Sequence, residues 1–278
     1  MDALIRTFRE NHVAHLTVKR EFEWVMTKYF GPLKSYRVSE VTPLIVEGWF
    51  HGIGKHSRSQ ANKSLSILRT MFEKAKDWRI YDGENPAGRV KTYPRNQRDR
   101  FIQPEEMPLL MKVLGRESED IQCYFLLCLL VGCRKSEALN LKWTDLDFSR
   151  LAWKKSHTKT RLTHIIPIPA SLLARIKALP RYNDYVFATR KGHWSSSLTH
   201  NRWAEIRRAA GIPDVTIHDL RRSCASWLAI HGENIALISK GVLNHTTLAN
   251  TGIYTRLNLA PVQKALEANS GRMLGVQP

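Results

Sequence analysis

Residues 216–256 read TIHDLRRSCASWLAIHGENIALISKGVLNHTTLANTGIYTR, and the rest of the chain is organised around them. Thr216, with Asp219 three residues on, has the pattern of a capping box, so a helix is expected from about Ile217. Leu220, Cys224, Trp227 and Leu228 recur at helical spacing and face a core. Gly232 is a natural stop. His218 and Arg221 are three apart and project side by side from the first turns. A helix N-terminus already attracts phosphate through its free N–H groups and dipole. A histidine and an arginine placed there form a phosphate-binding pattern. Taken alone, such a pair is structural in most proteins, His218 as a satisfied core histidine and Arg221 as a surface ion-pair member, so the motif needs support elsewhere in the chain. A second imidazole (His245) and a tyrosine (Tyr254) follow in the same stretch.

The composition points the same way. The 278 residues suffice for two domains, and the net charge is +18. A balance this basic favours a polyanion, nucleic acid before an anionic membrane. Residues 1–95 hold 17 Lys+Arg against 10 Asp+Glu, and the remainder 26 against 15, so both halves are expected on the same long anion. The first residues, MDALIRTFRENH, contain no apolar signal core. The longest apolar run, 124–131, is too short to span a bilayer. A soluble, cytoplasmic, DNA-associated protein is expected, with no membrane partner. A role on a membrane surface lacks the basic amphipathic terminal helix it would need. Cys123, Cys128 and Cys133 do not have zinc-site spacing and are expected to point in different directions. With Cys224 they read as small buried hydrophobes. No metal and no cofactor are expected.

Residues 1–79 read as all-helical, with segments over 4–10, 17–30, a third capped by Ser39, and a longer one over 57–78. Lys55, Arg58, Lys63 and Arg69 decorate the last part of this region, either as a solvated face or as contacts to a DNA backbone. The phrase YDGENPAGRVKTYPRNQRDRF then changes character and reads as an extended linker over 83–102. Its Arg95, Arg98 and Arg100 could track phosphates. A second domain is expected from about Gln103, where Pro104-Glu105-Glu106 opens a helix to about Leu114.

A helix over 121–131 is apolar on nearly every side and so buried. Arg134 follows it directly, and a buried arginine needs an anionic partner. The sequence permits either Glu137 or an external phosphate. Two short strands, 151–153 and 163–168, flank a basic tip, KKSHTKTR at 154–161, which holds Lys155, Lys159 and Arg161. These are either solvated lysines or groups reaching into a phosphate site. Further segments are expected over 169–179, 185–188, 196–210, 234–240, 248–257 and 261–269.

Separate segments thus supply Arg134, Lys159, His218 with Arg221, and His245 with Tyr254. Here the chain resembles the tyrosine recombinase, or phage-integrase, family. The matching pieces are GCRKSE at 132–137, TKT followed by IPI within 158–168, HDLRRS at 218–223, LNH at 243–245 and IYTR at 253–256. They stand in the family's order, and several motifs in order are far more specific than any one. Asn244 replaces the usual glycine before the second histidine, Val131 stands where threonine is frequent, and Arg256 where histidine is common. None of these departures removes a catalytic group.

The resemblance implies a mainly α fold with a small β-sheet, arranged as a two-domain, C-shaped DNA clamp. It implies a helical core-type DNA-binding domain over 1–82, the linker over 83–102 and a catalytic domain over 103–278. Tyr254 would attack a phosphodiester of double-stranded DNA and leave a 3′-phosphotyrosyl link. Arg134 and Arg221 would clamp the non-bridging oxygens, Lys159 would protonate the departing 5′ oxygen, and His218 and His245 would handle protons and bond the phosphate. A homotetramer on two DNA duplexes, with accessory directionality or bending proteins, is implied as well. Residues 261–269 are the candidate for an exchanged C-terminal segment. Arg222 joins the list of DNA contacts.

The chemistry stands without the name. Phosphoryl transfer needs fixed positive charge on the equatorial oxygens, and arginine supplies it in a planar fork. Tyrosine, with an ordinary pKa of about 10, becomes a competent nucleophile only in a cationic site. The competing readings are a type IB topoisomerase-like enzyme and a catalytically inert DNA-binding module.

Overall fold

In this computed structural model the described residues are 1–94, 98–155 and 164–243. They fall into two compact units, 1–97 and 98–278.

The first unit is four helices around one core. Helix α1 (Asp2–Asn11) buries Leu4, Ile5 and Phe8, and α2 (Lys19–Tyr29) buries Val25 and Met26. Helix α3 (Pro43–Gly54) is capped by Thr42, whose hydroxyl accepts from Ile45 N, with Pro43 in the first turn. Ser39, the expected cap, instead lies in a separate 3₁₀ turn, Val38–Glu40. Proline at the first helical position, where no N–H is needed, places the start three residues later. Helix α4 (Arg58–Asp77) starts from Ser57, which accepts from Gln60 N, and buries Leu65, Leu68, Met71 and Phe72. Residues 85–93 pack on α4. Asn62 bonds Tyr93 twice, giving Nδ2–H to its carbonyl at 2.9 Å and accepting its N–H at 2.8 Å. The Tyr93 ring stacks on Phe50 at 4.7 Å. The early part of the expected linker is therefore held to this unit by paired backbone bonds.

The second unit is built on α6 (Glu119–Leu130), which buries residues all round, as its sequence indicates. Helix α5 (Met107–Leu114) begins after Glu106, not at Pro104, because Glu106 is its cap and its carboxylate accepts from Gln103 N and from Arg100. A short helix α7 (Lys135–Leu139) follows the Gly132 turn. Three antiparallel strands come next: β1 (Leu146–Asp147), β2 (Ala152–Lys155) and β3 (His164–Pro167), in register Leu146↔Trp153 and Trp153↔Ile166. Leu151 has φ +50, so it is the turn into β2 and not its first residue. Helix α8 (Ala170–Lys177) leads to a small hairpin of β4 (Ala188–Thr189) and β5 (Gly192–His193). Tyr185 makes only an isolated bridge to Lys142, so the strand expected over 185–188 is mostly loop. Helix α9 (Ser196–Ala209) and helix α10 (Ile217–Ile230) complete the core, with Tyr124, Phe125, Phe187 and Trp203 at its centre. Residues 237–242 form a short π-helical turn, where a helix over 234–240 is expected. The segments expected over 248–257 and 261–269 lie outside the described residues.

The mainly α fold with a small antiparallel sheet is as read from the sequence. No described helix is long and apolar enough to cross a membrane. All four cysteines are buried. Cys128 and Cys133 do not diverge: the turn at Gly132 takes Cys133 off the helix and brings the two sulfurs to 4.0 Å.

Candidate active site

The site forms where the turn after α6 meets the first turns of α10. Gly132 has φ +65, a backbone that favours glycine, and a Cβ there would lie 3.2 Å from the Cys224 sulfur. This turn aims the Gly132 carbonyl at Arg221 and sends the chain out through Arg134 into α7. Arg221 is 4% exposed. Its guanidinium donates to Gly132 O at 2.5 Å and to Leu243 O. The carbonyls of two distant segments thus fix the plane of the fork. Leu243 lies two residues before His245 in sequence, so Arg221 holds the backbone that leads to the second histidine.

Arg134 is the cap of α7 and is 45% exposed. Of the two partners the sequence permits, Glu137 is engaged. Its carboxylate accepts the Arg134 N–H at 2.8 Å and the guanidinium at 2.7 Å. The same carboxylate accepts from Lys155 Nζ at 2.7 Å, on the end of β2. Lys155 is 9% exposed and also lies over the Trp153 ring. Burial pushes Glu137 up, but the charge and hydrogen bond of Lys155, with the Arg134 bonds, outweigh it and hold the carboxyl at about 2.

A pH prediction follows. The folded value lies below the ordinary carboxylate value of ~4.3. The group's contribution, about 3 kcal/mol by linkage, is therefore fully present above that value and is lost as pH falls toward 2. Glu137→Gln is expected to lower unfolding free energy by about that amount at pH 7. The gap to wild type should shrink between pH 4 and pH 2.5 in denaturant titrations. A gap that stays constant with pH would show that charge is not the origin.

His218 sits on the first turn of α10 with an exposed edge. Burial of the rest of the ring, then Arg222, Arg221 and Arg134, push its pKa below the ordinary value, against an opposing contribution from Asp219. The imidazole is thus biased toward the neutral form, able to accept or pass a proton near neutral pH. A cavity of about 380 Å³ opens beside it, lined by Arg134, Lys135, Ser136, His200, Trp203, Arg207, Thr216, Ile217 and His218. Three of the expected catalytic groups, Arg134, His218 and Arg221, therefore converge on one region. Lys159, His245 and Tyr254 lie outside the described residues, as do Arg95 and Arg161.

The expected DNA contacts divide. In the first unit, Lys55 and Arg58 are exposed, with Arg58 over the Tyr93 ring. Lys63 pairs with Glu21, and Arg69 bonds the carbonyls of Ala87 and Val90. In the second unit, Arg98 and Arg222 both pair with Asp219, and Arg100 with Glu106 and Asp214. Arg69 and Arg100 have structural work within the fold. His200 and Arg207 were not singled out by the sequence reading. Their spacing of seven on one helix puts them on the same face, and that was the available signal.

Among the described residues no cluster of three His, Cys, Asp or Glu is arranged to hold a metal. The cationic groups are what the site presents to an anion.

Comparison with known proteins agrees with this geometry. The sequence model of the phage integrase family matches residues 100–260. A tyrosine recombinase XerA of Thermococcus kodakarensis is 30% identical over 76% of this chain and 76% of its own length. A tyrosine recombinase of Thermosipho africanus is 28% identical over 95% of this chain and 98% of its own. Among solved structures, a Tn1549 transposon integrase in complex with transposon right end DNA superposes with a TM-score of 0.74 at 15% identity, covering 95% of this chain and 97% of that one. A lambda integrase dimer bound to a COC′ core site gives 0.73 at 15%, covering 92% and 77%. The match spans the Gly132 turn, the strands and α10 together, and this chain belongs to the phage integrase family of tyrosine recombinases.

Proposed function

We propose that this site-specific DNA recombinase cleaves and rejoins strands through Tyr254. The phenolate attacks a phosphodiester, the P–O bond to the 5′ carbon's oxygen breaks, and a 3′-phosphotyrosyl bond forms. Lys159 gives the leaving alkoxide its proton. Arg134 and Arg221 balance the charge that builds on the non-bridging oxygens, and His218 and His245 bond the phosphate and handle protons. Reversal by a 5′-hydroxyl from another strand reseals the backbone. The phosphodiester energy is conserved in the covalent link, so no ATP is required.

The observation that carries this reading is the convergence of Arg134, His218 and Arg221 on the Gly132 turn, in the family's motif order. The helical domain over 1–82 and the catalytic domain over 103–278 would close on double-stranded DNA from two sides, joined by 83–102. Exchange of strands between two duplexes calls for four active sites, hence a homotetramer, in the cytoplasm of a bacterial or phage-infected cell. An inert DNA-binding module is not favoured, since the chain carries all six catalytic groups in the family's order. Type IB topoisomerase-like relaxation, which would use the same tyrosine chemistry, is not favoured by the basic, helical first domain.

The test uses nicked duplexes selected from a random pool by binding to the protein, incubated in EDTA. The expected result is a covalent adduct on a denaturing gel. Trypsin should release the DNA-linked peptide GVLNHTTLANTGIYTR, residues 241–256, in which Tyr254 is the sole tyrosine. An adduct mapping to another peptide, or tight binding without any adduct, would overturn the assignment.

A further inference from the structure

Asp219 lies between the two active-site residues of α10 in sequence, yet its side chain is fully buried. A buried carboxylate is stable only when well paired. One oxygen accepts from the N–H and the hydroxyl of Thr216, at 2.8 and 2.7 Å, and lies 3.0 Å from the Arg98 guanidinium. The other accepts from Arg222 at 3.0 Å. Arg98 also donates to the Asp214 carbonyl, and Arg100 bridges Asp214 and Glu106. Further along, Ile102 N donates to Ser223 Oγ, and Trp227 Nε1 donates to Ile102 O, both at 2.8 Å. Residues 98–102 therefore run against α10 over about two turns. They are bonded to its capping carboxylate, to Ser223 and to Trp227.

We propose that Asp219 is a positioning residue for DNA cleavage, acting with Arg98 to set the rotation of α10 and hence the aim of His218 and Arg221. The proposal rests on the phosphotyrosyl reading above. Rotation of a helix about its axis is a soft motion for side chains three residues apart. A tie at Asp219, between His218 and Arg221, acts where the lever is shortest. Asp219 takes no part in the chemistry, because Thr216, Arg98 and Arg222 occupy both oxygens and none of its surface reaches solvent. Arg98 is 45% exposed, so it would otherwise be assigned to a DNA phosphate. The two roles predict different kinetics. A phosphate contact sets affinity and salt dependence. A positioning contact sets the rate of the bound complex, since small misplacements of catalytic groups cost large factors.

The experiment is single-turnover cleavage of the selected nicked duplex, at protein concentrations that saturate binding, with the dissociation constant measured separately across salt. Arg98→Gln is expected to cut the saturated rate about tenfold or more, with affinity and salt slope within twofold of wild type. Asp219→Asn is expected to cut it further. The double variant should be no slower than Asp219→Asn alone, because both changes break one contact. Should Asp219→Asn fail to fold, Arg98→Gln still decides, being a change at an exposed side chain. Weaker binding with an unchanged saturated rate for Arg98→Gln would make Arg98 a phosphate contact and overturn the proposal. Unchanged rates, or effects that multiply in the double variant, would overturn it equally. A wild-type protein that forms no adduct on this DNA would overturn the nucleophile reading itself, and this proposal with it.

Discussion

Tyr254→Phe is expected to abolish the covalent adduct, by more than about 10⁴-fold in cleavage rate, while leaving DNA affinity within about threefold. On the proposed mechanism the hydroxyl is the group that becomes bonded to phosphorus, and no neighbouring effect replaces a missing nucleophile. Binding depends on the basic surface, +18 net over the chain, which the substitution leaves intact. The salt slope of binding should therefore match wild type. A duplex with sulfur in the bridging 5′ position separates the nucleophile from the acid. A thiolate leaves without being protonated, so this substrate should restore cleavage to Lys159→Ala and leave Tyr254→Phe inactive. Residual adduct in Tyr254→Phe at a tenth of the wild-type rate would place the nucleophile elsewhere. Failure of the sulfur substrate to restore Lys159→Ala would deny Lys159 its role as acid.

The described part of this site was legible in the sequence where its signals are local. Thr216 with Asp219 announces a helix start, and the structure begins α10 at Ile217. The run over 121–131, apolar on nearly every side, announces a buried helix, and α6 ends at Leu130 before the Gly132 turn. What was hidden depends on pairing across long sequence distances. Glu137 could be seen as a neighbour of Arg134, but its bond to Lys155 needs the pairing of β2 with its sheet. Arg98 and Arg100 read as free basic residues in a linker because Asp219, the partner of Arg98, and Asp214, which with the nearby Glu106 holds Arg100, lie more than a hundred residues away. Arg69 read as surface charge for a different reason, its acceptors being backbone carbonyls that carry no sequence signature. Carbonyl acceptors leave no mark in a sequence, so an arginine's structural duty is harder to foresee than its catalytic one.

Arg221 has a structural duty, bonding the carbonyls of Gly132 and Leu243, and on the proposed mechanism a catalytic one as well, and this makes the second large prediction. Arg221→Gln is expected to slow cleavage by at least about 10³-fold, the scale for removing a fixed charge from a phosphoryl-transfer site. The same change should lower unfolding free energy by about 2–4 kcal/mol, because charge-assisted bonds to Gly132 O and Leu243 O are lost in a buried setting. Arg221→Lys separates the two. Lysine keeps the charge but offers a point donor on a shorter reach, so it cannot hold two carbonyls in one plane. Part of the stability should return, with cleavage still about 10²-fold down. Single-turnover cleavage beside urea titrations reads both quantities on the same preparations. If Arg221→Gln loses stability but cleaves within tenfold of wild type, the residue only braces the Gly132 turn. If Arg221→Lys regains full cleavage, charge alone suffices and the fork geometry is not required. The expected result, with cleavage and stability recovering to different degrees in Arg221→Lys, requires that the same guanidinium both closes the fold around the site and carries charge to the phosphate.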